Sequence, residues 1–95
     1  MYCWVAYDIS SNRLRLRVSK ACRRIGLLRY QKSVFLGQVG REELRTLEQE
    51  WRLQLAPTDK LAVLPLDKAA FRLLLQQTND ARVQRMASAF VFREL

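Results

Sequence analysis

The sequence contains no histidine, and this absence removes several classes of enzyme. Histidine is the commonest general base near neutral pH, a frequent metal ligand, and the residue that activates the nucleophile in serine and many cysteine hydrolases. If this chain is an enzyme, carboxylates and a hard cation have to carry the chemistry, because such a cation binds oxygen ligands.

Cysteine is scarce as well, and long apolar runs are missing. Cys3 and Cys22 stand neither at the spacing of metal ligands nor in the number that a disulfide scaffold requires, and both occupy apolar positions of the pattern, so buried thiols are predicted. The first apolar run, residues 1–9, is too short to span a membrane and lacks the basic start of a signal peptide. We therefore expect a soluble protein of the cytoplasm with no membrane partner.

Acidic residues are absent between Asp8 and Glu42, a stretch that holds nine lysines and arginines. The whole chain has 17 basic and 9 acidic side chains, which gives a net charge of +8. A basic excess concentrated in one half of a chain is typical of proteins that bind a polyanion, and arginine guanidinium groups match phosphate oxygens. Nucleic acid is the predicted partner, and a solubilising surface is the alternative.

Apolar periodicity and turn residues divide the chain into strands and helices in an order typical of an α+β protein. The predicted elements are a strand at 2–7, a helix that starts at Ser10, Ser11 or Asn12 and stops at Gly26, one bent or two short strands within 29–39, a helix at 41–55, a strand at 60–66, a weakly helical segment at 67–77 and a strand at 89–92. Pro65 cannot donate a hydrogen bond to a ladder, so its strand is predicted to lie at a sheet edge or to end there. This order predicts a ferredoxin-like split βαβ fold, βαββαβ, with an additional C-terminal strand, in one domain over residues 1–95.

In that fold both helices cover one face of the sheet, and the sequence offers little to cover the other. Residues 2–7 and the segment SVFL at 33–36 are apolar toward both faces. Large exposed apolar patches are rare on monomers, so a second copy is predicted to pack on this face. Residues 67–95 are interpreted as a C-terminal extension that braces the homodimer.

The first helix carries a basic stripe beside its apolar face. The stripe consists of Arg13, Arg17, Lys20 and Arg24. Spacings of three and four residues place these side chains on one side of the helix, where they can follow the phosphates of a duplex. Arg15 lies on a different side of the same helix and is predicted to point toward Asp8.

Two segments of the chain resemble a known family. YDIS, residues 7–10, closes the first strand, and RYQKSVFLG, residues 29–37, follows the Arg-rich helix. In this order and spacing they resemble the small CRISPR-associated protein Cas2, the partner of the Cas1 integrase in spacer acquisition. The resemblance extends from residue 2 to about residue 66, and QKSVFLG is its most specific part. It implies a ferredoxin-like homodimer in which the Asp8 carboxylates of two protomers face each other and hold one Mg²⁺.

The same resemblance implies roles for individual residues. Asp8 corresponds to the metal ligand, and Tyr7, Arg15, Arg17, Arg29 and Phe35 match positions associated with activity or nucleic-acid contact in family members described as nucleases. From the residue alone, Asp8 has a second explanation, because an acid near a helix start favours the helix by about 0.3–1 kcal/mol. Phe35 likewise has two explanations, stacking on a base or packing in the core.

Three functions are compatible with these features. The first prediction is a homodimeric, sequence-independent double-stranded DNA-binding scaffold that works with the Cas1 integrase in the CRISPR adaptation complex. The alternative is a Mg²⁺-dependent endonuclease, acting on RNA or DNA, that uses paired Asp8 carboxylates. A regulatory ligand-binding ferredoxin-like domain is the third, and the strong basic charge disfavours it.

Overall fold

The computed structural model describes residues 1–85, which form one sheet and its covering helices. The elements are β1 Tyr2–Asp8, α1 Asn12–Arg24, β2 Leu28–Gln31, β3 Val34–Gln38, α2 Arg41–Gln54, β4 Lys60–Leu66 and α3 Lys68–Gln76. Residues 81–85 are also helical. The strand predicted at 89–92 lies outside the described residues. Within residues 1–85, the helices are too short or too polar to cross a membrane.

The sheet has the strand order β2-β3-β1-β4, and each neighbouring pair is antiparallel. This arrangement of four strands and helices is the ferredoxin-like α+β fold, so the predicted fold class is confirmed. Strand β1 lies between β3 and β4, with Val5 opposite Phe35 on one side and Val63 on the other. Pro65 lies in β4, an edge strand, as its missing N–H group requires.

The start of α1 is set by a single side chain. Of the three predicted cap residues, Ser11 is the one that caps the helix, since its hydroxyl accepts a hydrogen bond from the Leu14 N–H at 3.2 Å. The helix ends before Gly26, whose φ of 97° suits a residue without a side chain. Both boundaries agree with the sequence pattern.

The segment 29–39 forms two strands rather than one bent strand. A tight turn at Lys32 and Ser33 joins β2 to β3, and Ser33 has a φ of 66°, a conformation that few residues other than glycine adopt. The Ser33 carbonyl accepts a hydrogen bond from the Tyr7 N–H at 3.0 Å. This bond holds the tip of the hairpin against the end of β1.

One face of the sheet forms the main core with α1 and α2. Alternate residues of β1, Cys3, Val5 and Tyr7, are buried in this core together with Trp51 of α2. Burial raises the pKa of the Cys3 thiol to about 11 and that of Cys22 to about 12, so both thiols stay protonated at neutral pH. The prediction of buried thiols is confirmed.

The opposite face of the sheet is partly covered by the chain itself, so the expectation that a second copy has to cover this face was wrong in part. Helix α3 folds back across this face, where Phe71 and Leu75 form a second core with Leu36 and Val83. The rings of Tyr2 and Phe71 stack at 4.7 Å between centroids. The apolar residues of β1 and β3 therefore do not all need a second copy to cover them, because residues 68–85 do part of this work.

The end of this face that contains Asp8 remains open in the described structure. Asp8 and Leu64 are exposed there, the latter at 52%, and Ala6 and Ala62 are half-buried between them. The homodimer through the sheet face remains a prediction, and its interface is expected at this end of the face because α3 covers the other end. How residues 67–95 contribute to it is likewise a prediction.

Candidate functional site

Asp8 is the last residue of β1, and its side chain is free of protein partners in the described part of the chain. Asp8 stands opposite Lys60 in the register with β4, yet its carboxylate forms neither an ion pair nor a hydrogen bond with residues 1–85. Ser11 rather than Asp8 caps α1. The carboxylate is exposed and accessible to a cation, as the metal-site hypothesis requires.

The loop that follows Asp8 is tied to the loop before β4 by Asp59. This carboxylate accepts hydrogen bonds from the N–H and hydroxyl groups of Ser10 and from the N–H group of Ala56, each at 2.9 Å. These bonds, those from the Ser10 and Ala56 N–H groups foremost, lower the pKa of Asp59. Asp59 was not among the predicted site residues, because nothing local reveals a partner so distant in the chain.

A second feature lies on the other side of Tyr7, between α1 and the β2–β3 hairpin. It is a hollow of about 260 Å³, and its lining includes the cationic side chains of Arg15, Arg29 and Lys32. Hydroxyl groups of Tyr7, Ser19 and Ser33, the amide of Asn12 and the side chain of Leu16 complete the lining. No carboxylate lines this basic hollow among the described residues. Three cationic side chains with no carboxylate among them favour the binding of an anion in the hollow.

Arg15 and Arg29 are held in place by different contacts. Arg15 donates a hydrogen bond from Nη1 to the Ile9 carbonyl at 2.9 Å and another from Nη2 to the Asn12 side chain. The Arg29 guanidinium lies 5.9 Å from the centre of the Phe35 ring, and its buried Nε has no hydrogen-bond partner among the described residues. A buried donor without a partner is uncommon and favours an acceptor from outside this part of the chain.

Tyr7 lines the hollow, and the ring of Phe35 lies beneath the Arg29 guanidinium. The rings of Tyr7 and Phe35 stack at 6.5 Å with an interplanar angle of 16°. Burial, followed by the nearby Cys22, raises the pKa of Tyr7, whereas Arg29, Arg23 and a hydrogen bond with Ser19 act in the opposite direction. Phe35 is fully buried, so its ring packs in the core in this chain and does not reach a base at the surface.

The structure thus separates the predicted site residues into three groups. Tyr7, Arg15 and Arg29 line the basic hollow, and the buried Phe35 packs against Tyr7 and Arg29. Asp8 lies on the neighbouring surface with Lys60 and Ala62, and Tyr7 contributes to both surfaces. The basic stripe is exposed on another side of α1; it comprises Arg13, Arg17, Lys20 and Arg24, and Arg17 donates a hydrogen bond to Gln54 of α2.

Within residues 1–85 there is no group of three or more cysteines, aspartates or glutamates that could hold a metal ion. Lys32 was not among the predicted site residues, since only the hairpin turn at Lys32 and Ser33 brings it next to Arg15.

These features define a small, basic α+β protein with a candidate nucleic-acid site at the end of β1. A family model described as CRISPR associated protein Cas2 matches residues 1–73. The chain therefore belongs to the Cas2 family, and the resemblance found in the sequence is confirmed.

Named relatives agree with this assignment. CRISPR-associated endoribonuclease Cas2 of Korarchaeum cryptofilum is 40% identical over 63 residues, which cover 65% of this chain and 68% of the relative. CRISPR-associated endoribonuclease Cas2 2 of Chloroflexus aurantiacus is 38% identical over 85 residues, which cover 85% of this chain and 100% of the relative. A protein of the same name from Pyrobaculum aerophilum is 34% identical over 71 residues, with 74% of this chain and 78% of the relative covered.

Proposed function

We propose that this chain is a metal-dependent endoribonuclease of a CRISPR system, in which Asp8 and the basic hollow act on the same RNA strand. The observation that carries the proposal is that two unlike surfaces meet at Tyr7. One presents an exposed carboxylate without a partner in the described chain, and the other presents three cations and no described carboxylate. A carboxylate suits a hard cation, and arginines suit phosphate. The names of the relatives support this function more than the scaffold prediction.

Asp8 fits Mg²⁺ in charge and in access, but one chain offers a single carboxylate at this point. Mg²⁺ keeps several waters and is commonly bound by one or two carboxylates together with substrate phosphate oxygens. In our proposal a second copy places its own Asp8 across a twofold axis, against the open end of the sheet face. When bound, such a cation supplies an activated water and offsets charge on the phosphate.

The residues of the hollow would bind and orient the phosphodiester. Arg29 lies over the Phe35 ring and offers a buried Nε donor without a partner among residues 1–85. Arg15 is fixed by its bond to the Ile9 carbonyl, so both charges are positioned before the substrate arrives. The Tyr7 hydroxyl is protonated at neutral pH, as a tyrosine with an ordinary pKa would be, and burial raises its pKa further. It can therefore donate a hydrogen bond to a bound phosphate.

The experiment is cleavage of a single-stranded RNA by purified protein with Mg²⁺ or with EDTA, comparing the parent, Asp8→Asn and Glu50→Gln. Asp8→Asn keeps the size of the side chain and removes the charge that holds a hard cation, so cleavage should be abolished. Glu50 is exposed on α2, and its variant removes the same charge elsewhere and should cleave normally. Cleavage that survives EDTA, or that is equal in Asp8→Asn and the parent, would contradict the proposal.

A second function is favoured by the exposed basic stripe, a surface separate from Asp8. We propose that a dimer of this chain also binds double-stranded DNA through this stripe, as a scaffold for the Cas1 integrase during spacer acquisition. Positioning of a duplex requires no chemistry at Asp8. Spacer integration by the complex should therefore survive Asp8→Asn, whereas RNA cleavage should not.

A further inference from the structure

Lys60 is a cationic side chain directly beside the proposed metal ligand, and neither proposed function uses it. It pairs with Asp8 in the antiparallel register of β1 and β4. Directly opposite side chains lie on the same face of a sheet, with Cβ atoms about 4.5–5.5 Å apart. Both side chains are exposed, and both line one hollow of about 330 Å³. A carboxylate and an ammonium group thus share this end of the sheet face.

The backbone of this pair is fixed, but the two charges do not meet in the described chain. Asp59, which precedes Lys60, accepts hydrogen bonds from the N–H and hydroxyl groups of Ser10, each at 2.9 Å, and so ties the loop after Asp8 to the start of β4. The next opposite pair on the same face consists of two alanines, which leave room for the Lys60 stem. Lys60 nevertheless forms no ion pair with residues 1–85. Its ammonium group is therefore available to a charge from outside this part of the chain.

The twofold arrangement in the proposed function brings Lys60 into the metal site. If the Asp8 carboxylates of two copies face each other across the axis, the Lys60 side chains beside them reach the same interface. Two carboxylates at close range repel each other unless a cation or a proton lies between them. Two ammonium groups on the same strands offset this repulsion without a metal ion.

We infer that Lys60 is a built-in counter-charge of Asp8 and competes with a divalent cation for the paired carboxylates. With both lysines in place, a divalent cation has to displace an ammonium group or bind against its repulsion. Metal binding is therefore weaker than two carboxylates alone would give. The inference rests on the proposed function and states how its metal site is regulated.

A substrate phosphate is the other group available to Lys60. The cations of the basic hollow lie on the other side of Tyr7, whereas the hollow that Lys60 lines contains the carboxylate of Asp8. This carboxylate attracts the ammonium group and repels a phosphate. The described residues therefore favour contact with Asp8, and a phosphate contact is an outcome that the test distinguishes.

The test measures binding of Mn²⁺ to the RNA-free protein by electron paramagnetic resonance, since Mn²⁺ shares the preference of Mg²⁺ for carboxylate oxygens. Lys60→Gln removes the charge, Lys60→Arg keeps it, and Arg45→Gln removes one exposed charge from α2 as a control. Lys60→Gln should bind Mn²⁺ about ten-fold more tightly than the parent, because a repelling charge beside the metal is gone. Lys60→Arg and Arg45→Gln should resemble the parent. Asp8→Asn combined with Lys60→Gln should lose the gain.

Light scattering in EDTA gives a second readout. Lys60→Gln leaves two carboxylates facing each other without a counter-charge, so its dimer should dissociate more readily than that of the parent. Mn²⁺ should restore the dimer of this variant, because a cation that binds only the dimer stabilises it. The parent dimer should respond little to Mn²⁺.

Three results would overturn the inference. They are equal Mn²⁺ binding, or none, in the parent and Lys60→Gln; an equal gain in Arg45→Gln, which would be a general effect of net charge; and weaker RNA binding by Lys60→Gln in EDTA with unchanged Mn²⁺ affinity, which would assign Lys60 to a phosphate. None of these measurements needs cleavage. If Lys60→Gln binds Mn²⁺ more tightly and the parent does not cleave RNA, the endoribonuclease proposal fails and the inference stands. If the parent cleaves RNA and Mn²⁺ affinity does not respond to Lys60, the inference fails and the endoribonuclease proposal stands.

Discussion

Asp59 accepts hydrogen bonds from both the N–H and the hydroxyl group of Ser10, each at 2.9 Å, across 49 residues of sequence. The two residues lie next to the last register pair of β1 and β4, Asp8 opposite Lys60. Their contact joins the loop that leaves β1 to the loop that enters β4. The loop that follows Asp8 is therefore held by Asp59, a residue that comes after α2 in the chain.

The first prediction concerns this contact and its dependence on pH. Because the pKa of Asp59 is lowered in the folded state, its contribution to stability is present above the unfolded pKa, about 3.9, and disappears as pH falls through the folded value. Asp59→Asn places an amide N–H near a backbone donor and should lower the melting temperature at pH 7. The difference from the parent should shrink as the pH falls below about 4. Thermal unfolding of the parent, Asp59→Asn and Glu50→Gln checks this, and a pH-independent difference for Asp59→Asn would contradict it.

The second prediction tests whether α3 covers its own sheet. Phe71 is 1% exposed against the sheet, and Leu73 on the same helix is 54% exposed. Phe71→Ala should lower the free energy of unfolding by about 3–5 kcal/mol, since a large buried ring is removed. Leu73→Ala should change it by less than about 0.5 kcal/mol. Urea unfolding measures both, and similar small effects would mean that α3 does not pack on the sheet in solution.

Features of the fold that depend on neighbouring residues could be predicted from the sequence, and features that depend on residues distant in the chain could not. The cap at Ser11, the stop at Gly26 and the edge position of Pro65 follow from local backbone chemistry, and the sequence analysis anticipated each of them. The folding of α3 onto Tyr2 depends on packing between distant segments, and local periodicity gives no sign of it. The expectation of a bare sheet face failed for this reason.

The candidate site shows the same division. The resemblance selected Tyr7, Arg15 and Arg29, and the fold brings all three to one hollow. Lys32 reaches the hollow only because the hairpin turn beside it is held by the Tyr7 N–H. Chain order alone could not indicate this contact, nor the bond between Asp59 and Ser10.

The third prediction concerns duplex binding by the basic stripe. Arg13→Gln combined with Arg24→Gln removes two exposed cations from α1, and Arg41→Gln combined with Arg45→Gln removes two from α2 as a control of equal charge. If the stripe follows a duplex, the α1 variant should bind every sequence more weakly, and the salt slope should fall by about 0.9 for each phosphate that the protein no longer neutralises. The control should keep the slope of the parent. Equal duplex affinities and equal salt slopes for the two variants would show that the duplex does not bind along α1.

The fourth prediction concerns the dimer that a shared metal site requires. Helix α3 covers the Tyr2 end of the sheet face, so a second copy would have to pack against the Asp8 end, where Leu64 is 52% exposed. Leu64→Glu would place a charge in that contact and should convert a dimer into a monomer at micromolar concentration, because an unpaired charge is costly to bury. Leu53 is exposed on α2, which covers the other face of the sheet, so Leu53→Glu should leave the dimer intact. Light scattering of the three proteins decides the matter. A parent with the mass of one chain would contradict the dimer, and a dimer that survives Leu64→Glu would place its interface elsewhere and leave each Asp8 without a second carboxylate.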